Sequence, residues 1–471
     1  MRIEYKYLRP KKAAALKELH EHSLVEKKEL SIESFSHATF LPLKHFGEEE
    51  GLLFGRGGLL NAEGSFIEAS GIEKRYGGIY EHETPAERDE RVLYCGYLSF
   101  GWGHFLLESV SRLWPVVTGA APEVDKYVFV GNAGGGTSVG GNFREFLELL
   151  GIWDKVELLD APARFREVLL PQLSYSFLHY HTPQYNAIFD RVIRAAVHGS
   201  AASDAEGQER NISGSRKETS PRDEAGSGAG SVLASRAGSC EETRKEICSR
   251  KLFLSRRHVY DKKHWYGGTR PRERGLDMLD EYFSSNGYRI IYPERTSLRE
   301  LIPLMHDAEV VAVESGSCAH NTLLVPSGAK VQIIERQAYV NDYQANIDVI
   351  RDLNAEYVDA HYSLYPVEAF GGPCLIMNTA ELQRFTADHG MTPPPERFNS
   401  SSYYRRSIRW YLWLYRHLMG ERIMMDESLL PQAEVFLETS DATYEVFRPY
   451  LETKRRQRAF RLWERIGYPR F

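Results

Sequence analysis

A chain of 471 residues is too long for one compact core, so two domains with additional elements are expected. With 42% hydrophobic and 26% charged residues it has an ordinary globular composition, and 59 basic against 65 acidic residues (formal charge −6) exclude nucleic-acid binding driven by bulk charge, leaving any anion site local. The five cysteines, Cys95, Cys240, Cys248, Cys318 and Cys374, form neither a disulfide framework nor a zinc-ligand spacing.

The opening MRIEYKYLRPKKAAALKELHEHS has no long apolar core behind its basic residues, so no secretory leader is expected. No run of about 18 apolar residues follows anywhere, which removes a membrane-spanning helix and makes the cytosol the expected compartment. Residues 1–198 read as a first α/β domain, with strand candidates at Tyr127–Val130, Lys155–Leu159 and Val168–Leu170 and helical patterns over Gly103–Val117 and Asn142–Leu150. Within it, FGWGHFLLESVSRLWP places His104, Glu108 and Arg112 at i, i+4 and i+8, on one helical face, with Phe105, Leu106, Val110 and Leu113 turned inward. The His–carboxylate pair suits a general base and its orienting partner. The spacing equally suits a Glu108–Arg112 ion pair with His104 satisfied at the helix start.

From Gly199 to about Arg250 the chain is Ser, Gly, Ala, Glu and Arg with almost no aromatics, so residues 199–250 are expected to be a disordered polar insertion. Strand and helix then alternate. KLFLS at Lys251–Ser255 is a buried strand followed by Arg256 and Arg257, and a helix carrying Leu276, Met278, Leu279, Tyr282 and Phe283 ends at Asn286-Gly287. Next come a strand over Tyr288–Tyr292, a helix opened by the Ser297/Glu300 capping box, the strand Val310–Val313 and the strand Lys330–Ile334. This order makes residues 251–370 a doubly wound, Rossmann-like domain. Between the last two strands, Ser315-Gly316-Ser317 forms a hydroxyl-bearing turn, and Ser317 is expected to cap a helix through His320, Asn321, Leu323 and Leu324 that Pro326 stops. A helix start at a strand's carboxyl end favours a phosphate-bearing ligand.

Arg256, with Arg257, is placed to clamp a diphosphate. Glu294, at the end of the second strand, is placed either on a ribose or sugar hydroxyl or at a helix entry. His320 and Asn321 either reach a bound phosphate or hold the turn. Arg270, Arg272 and Arg274 read as a solvated basic loop, and His264, Trp265 and Tyr266 as either a base- or sugar-stacking group or an exposed loop. Asp277 and Asp280 lie on a helix, no Asp-x-Asp pair suits a metal-bridged diphosphate, and no metal is expected. Residues 371–471 read as closing helices that pack across both α/β domains, although the aromatic, basic stripe of Arg409, Trp410, Trp413, Tyr415 and Arg416 also suits a membrane surface.

The segments GHFLLES with SRLWP, and the series running from LSRR through YPE, TSLRELI and SGS to HN, VP and GAKV, together resemble glycosyltransferase family 61, a group often labelled capsular polysaccharide biosynthesis proteins. They do so in order over roughly residues 90–340. The resemblance implies a GT-B-type pair of Rossmann-like domains, with residues 1–198 on the acceptor side and 251–370 holding the nucleotide-sugar. It implies inverting transfer, no essential metal, and a nucleotide-sugar co-substrate, a UDP-sugar foremost. Arg256, Ser315, Gly316, Ser317 and Asn321 fall on its donor motif, and His104 and Glu108 on its His-containing helix. Many eukaryotic members carry His-Gly at the turn where this chain has Ser315-Gly316 after Glu314, so hydroxyls and backbone are expected to hold the diphosphate here. The expected partners are a nucleotide-sugar and a glycan or lipid-linked glycan, with peripheral membrane contact through the closing helices. Two other functions are compatible with such a scaffold: pyruvyl-type transfer onto a glycan, and a non-catalytic glycan-binding assembly subunit.

Overall fold

The computed structural model of the protein describes residues 1–22, 29–46, 52–120, 122–176, 180–213 (side chains to 199), 250–259, 273–337, 340–362, 374–400, 402–403, 406–407 and 410. In chain order the strands are β1 (Arg2–Tyr7), β2 (Ile32–Lys44), β3 (Arg56–Leu60), β4 (Ala86–Tyr97), β5 (Lys126–Val130), β6 (Val156–Leu159), β7 (Ala163–Pro171), β8 (Tyr175–Ser176) and β9 (Tyr180–His181). They continue as β10 (Lys251–Leu254), β11 (Glu273–Arg274), β12 (Arg289–Ile291), β13 (Val310–Glu314), β14 (Lys330–Glu335), β15 (Asn354–Asp359), β16 (His361–Tyr362) and β17 (Cys374–Ile376). The helices are α1 (Pro10–His22), α2 (Trp102–His104), α3 (Trp114–Thr118), α4 (Gly141–Leu150), α5 (Pro183–Ser213), α6 (Leu276–Ser285), α7 (Leu298–His306), α8 (Asp342–Ile350) and α9 (Ala380–Asp388).

Two six-stranded sheets organise the chain. The first, in the order β3-β2-β7-β4-β5-β6, is mixed: β2 runs antiparallel to β3 and β7, and the other neighbours are parallel. The second, in the order β1-β15-β14-β13-β10-β12, is parallel throughout. Its central strands β10 and β13 are short and largely apolar, as strands buried on both faces are; Leu252–Leu254 and Val311–Val313 are buried. The Ser297/Glu300 capping box forms as expected and opens α7.

The N-terminal β1 and α1 complete the second sheet instead of joining the 1–198 unit. β1 pairs with β15, and Lys12 of α1 donates to Glu335 at 2.8 Å, Asp359 at 3.0 Å and the Gln337 carbonyl at 2.7 Å. This buried cation is shared by two carboxylates at the ends of β14 and β15, which would be costly to desolvate without it, and the Arg9 N–H donates to Asp359 as well.

α5 also departs from expectation, since it runs through Gly199 to Ser213; the rest of the expected insertion, 214–249, lies outside the described residues. So do most of the expected closing helices, including Arg409, Trp413, Tyr415 and Arg416, and the loop with His264, Trp265, Tyr266, Arg270 and Arg272. α5 packs against α7, α3 and α4, and one apolar core joins the two halves: Phe105, Phe146, Tyr185 and Phe189 share it with Leu298, Leu301, Leu323 and Val325. Among the described residues no helix is long and apolar enough to cross a membrane.

Candidate active site

The second sheet has its topological switch point between β10 and β13. Counting from β10, the strand order is 2-1-3-4-5, with β1 added at the far edge, so chain connections depart in opposite directions from β10 and β13 and leave a crevice at their carboxyl ends. Ser255 and Arg256 follow β10 there, and the Ser315-Gly316-Ser317 turn follows β13. Gly316 has φ +102°, and a Cβ at this position would stand 2.8 Å from Arg336 Nη2, so the turn admits only glycine without strain.

Buried charge fills the floor of this crevice. Arg256 Nη2 lies 3.2 Å from Glu273 Oε1, Arg336 Nη1 donates to the same oxygen at 2.6 Å, and Arg336 Nε donates to the Ser315 carbonyl at 2.7 Å. The Arg256 backbone N–H donates to Glu314 Oε1 at 3.3 Å. Burial, then the neighbouring Glu273, pushes the fully buried Glu314 carboxyl up to about 8. Burial also raises Glu294, against the pull of Arg256 and His258. Glu314 Oε2 and Glu294 Oε1 are buried and have no hydrogen-bond partner among the described residues.

The first half contributes the segment after β4. α2 passes directly into a π-helical turn over Phe105–Ser109, closed by the Val110 N–H on the Phe105 carbonyl at 3.2 Å. Such turns insert a residue into the helix and commonly occur at functional sites. Here the turn keeps His104 and Glu108 together, with Nδ1 3.2 Å from Oε2, and carries Arg112 away from them. Arg112 is fully buried and donates instead to the carbonyls of Pro171, Ala69 (2.6 Å) and Gly71 (3.5 Å), so the alternative Glu108–Arg112 ion pair does not form. Glu108 pairs with Arg75, whose Nε donates to Oε1 at 2.8 Å. His104 remains about one-fifth exposed, its ring edge-on to Phe54 and Tyr343.

The two motifs meet. Trp102 Nε1 donates to Asn321 Oδ1 at 2.9 Å across 219 positions of sequence. Gly103 faces His320 so closely that a Cβ there would lie 2.4 Å from Nδ1 and 3.4 Å from Ser317 Oγ. His320 is buried, and neither ring nitrogen has a partner among the described residues. Burial first, then the neighbouring His104 and Arg256, pushes it down to about 3, so the imidazole is neutral at physiological pH.

Residues 102–332, which begin at this Trp102 and end inside β14, match the Glycosyltransferase 61 family model. This region belongs to glycosyltransferase family 61. No curated protein matches the chain. The family match supports a glycosyltransferase, and the family 61 region spans both halves of the site just described.

Within the family 61 region the expected residues fare differently. Arg256, Glu294, Ser315, Gly316, Ser317 and His320 lie at or beside the crevice, and the His104 segment meets them at His320 and Ser317 through Gly103. Arg257 does not join them: it is half exposed and turns to Asp280 on α6 at 3.3 Å. Arg274 is engaged with Ser407 at 2.9 Å. Asn321 holds the turn, since its Nδ2 donates to the Cys318 carbonyl at 2.8 Å while its Oδ1 accepts from Trp102.

The capping helix expected after Ser317 is a short 3-10 segment, Ala319–Leu324, whose N-cap is Cys318 without a side-chain cap bond. It offers no helix-dipole anion site, and any phosphate contact falls to Arg256 and the turn. Four residues escaped the sequence reading: Arg75, Glu273, Arg336 and Tyr343. Only Arg336 carried a signal, because it follows β14 as Arg256 follows β10. Among the described residues no group of three or more His, Cys, Asp or Glu is arranged to hold a metal ion.

Proposed function

We propose that the protein is an inverting, metal-independent glycosyltransferase with its two α/β halves in a GT-B-type arrangement. It moves a sugar from a nucleotide-sugar, a UDP-sugar foremost, to a glycan or lipid-linked glycan during capsular or cell-surface polysaccharide synthesis at the cytoplasmic face of the membrane. The observation that carries this is the packing of the His104–Glu108 segment against the turn at the sheet's switch point, through Gly103 on His320 and Trp102 on Asn321.

In the reaction His104, oriented by Glu108, takes the proton of an acceptor hydroxyl as its oxygen attacks the anomeric carbon. The bond from that carbon to the diphosphate oxygen breaks, and its electron pair leaves with the diphosphate. With Glu314 held as the neutral acid, the guanidinium charges of Arg256 and Arg336 face the single charge of Glu273, one net positive among these four groups and the sign a departing diphosphate needs. Ser317, exposed on the turn, adds a hydroxyl, and Gly316 lets backbone approach the phosphates. Glu294 and His320 supply hydrogen-bonding groups for donor hydroxyls.

The test is thermal stability with UDP, GDP, CMP and ADP, beside an Arg256→Ala control, followed by acceptor-dependent release of nucleoside diphosphate. A nucleotide at a hundred times its dissociation constant adds about 2.7 kcal/mol of stability. A shift with one nucleotide that the control abolishes, with release only when glycan is present, is the expected result. Consumption of a pyruvyl donor without nucleotide-sugar, or nucleotide binding without turnover on any glycan, would overturn it.

A further inference from the structure

Arg75 links the His104–Glu108 pair to the opposite half of the molecule. It stands on the loop between Ile72 and Gly77, its Nε on Glu108 Oε1 at 2.8 Å and its Nη2 donating to the Tyr343 hydroxyl at the start of α8. The second Glu108 oxygen faces His104 Nδ1. Tyr343, Arg75, Glu108 and His104 are therefore consecutive members of one polar chain running from the second sheet's unit to the first. The Tyr343 ring also lies against both His104 and His320.

Glu108 is 7% exposed and Arg75 15%, so water screens little of the carboxylate charge and the cation beside it decides what it does. Arg75 is charged at every physiological pH, and Glu108 with Tyr343 raises it further against the downward pull of burial. With its charge met by Arg75, Glu108 has one oxygen left to accept the His104 Nδ1–H, which leaves Nε2 as a proton acceptor. Without Arg75 the same carboxylate would favour imidazolium, which cannot act as a base.

We infer that Arg75 is a positioning residue for sugar transfer: it pins Glu108 so that the carboxylate accepts from His104 Nδ1 and leaves Nε2 free to take the acceptor's proton, in a geometry completed by Tyr343 from the other half. The inference rests on His104 being the base proposed above. Among the described residues, the titratable groups packed around the pair include His320, which is neutral, and Asp342, which burial raises against the pull of Arg75. Tyr175 and Tyr185 behind Glu108 are buried phenols pushed well above their usual range and bring no charge.

The test uses the full chain and two readouts. Imidazole nitrogen NMR follows the titration of His104, assigned by its loss in His104→Gln; transfer assays give kcat, KM and the pH profile. In Arg75→Gln the His104 midpoint should move to higher pH, and the acidic limb of kcat with it, because a cation has been removed from the pair. Arg75→Lys and Tyr343→Phe keep the charge, so both should hold the midpoint while kcat falls several-fold at unchanged donor KM. An unmoved midpoint in folded Arg75→Gln overturns the inference whether or not transfer is seen. A moved midpoint with wild-type kcat at every pH overturns instead the assignment of His104 as base. If Arg75→Gln fails to fold, full wild-type turnover in both charge-keeping variants overturns the inference.

Discussion

Replacing Gly103 by Ala tests whether the two motifs touch, and does so without any assumption about chemistry. A methyl at this position would lie 2.4 Å from His320 Nδ1 and 3.0 Å from its Cε1, so the imidazole must move within a buried site. Overpacking of this kind costs about 1–3 kcal/mol. Alanine also regains about 0.5–1 kcal/mol of helical preference over glycine. The substitution alone should therefore lie between neutral and about 2.5 kcal/mol destabilising. In a His320→Ala background the collision is gone and only the helical gain remains, so Gly103→Ala should stabilise. The coupling between the two positions, about 1–3 kcal/mol, is read by urea denaturation of wild type, both single variants and the double variant, in which the cavity left by His320→Ala cancels. Independent sites add to within about 0.3–0.5 kcal/mol. Equal effects of Gly103→Ala in the two backgrounds would refute the contact between the motifs, and with it the site.

Other expectations follow from buried groups. Glu314 is protonated more readily in the folded than in the unfolded chain, so its contribution to stability is complete below the ordinary carboxylate range and is lost as pH rises toward about 8. Glu314→Gln should abolish that slope, up to about 1.4 kcal/mol per pH unit, and parallel stability–pH curves for the two proteins would contradict it. Gly316→Ala should cost at least about 1–2 kcal/mol from its left-handed backbone alone and should displace Arg336, lowering nucleotide affinity in the same thermal-shift assay. Arg112→Met leaves the carbonyls of Pro171, Ala69 and Gly71 without their donor and should cost about 2 kcal/mol or more in denaturation; a loss under about 0.5 kcal/mol would show that those bonds contribute little.

The central strands of the second sheet were legible because burial on both faces writes a continuous apolar run into β10 and β13, and the Ser297/Glu300 box announced α7 in four residues. The Ser315 turn and the His104–Glu108 spacing were legible for a similar reason, since each is local. β1 was not: RIEYKY alternates charge with half-buried side chains, as an edge strand does, and its partner β15 lies at the other end of the sheet's sequence. The long antiparallel pairing of β2 with β7 also escaped, because nothing within β2 names its partner. At the site, Arg75 sat unmarked in a glycine-flanked loop and Tyr343 at an ordinary helix start; only tertiary folding makes them neighbours. The Ser317 cap failed because the chain tightens into a 3-10 segment where it must fit beneath Gly103 and Trp102.

The pairing of β1 with β15 also sets a timetable for biosynthesis. Arg9 and Asp359, which hydrogen-bond where these two strands end, are 350 positions apart. At about 5–20 residues per second, a ribosome needs on the order of 20–70 seconds to make the partner of a strand it produced first. Through that interval the charged, amphipathic β1–α1 segment waits outside any sheet while the first half folds beside it. Its row of Arg2, Glu4 and Lys6 keeps the waiting strand from pairing with its copies on neighbouring ribosomes.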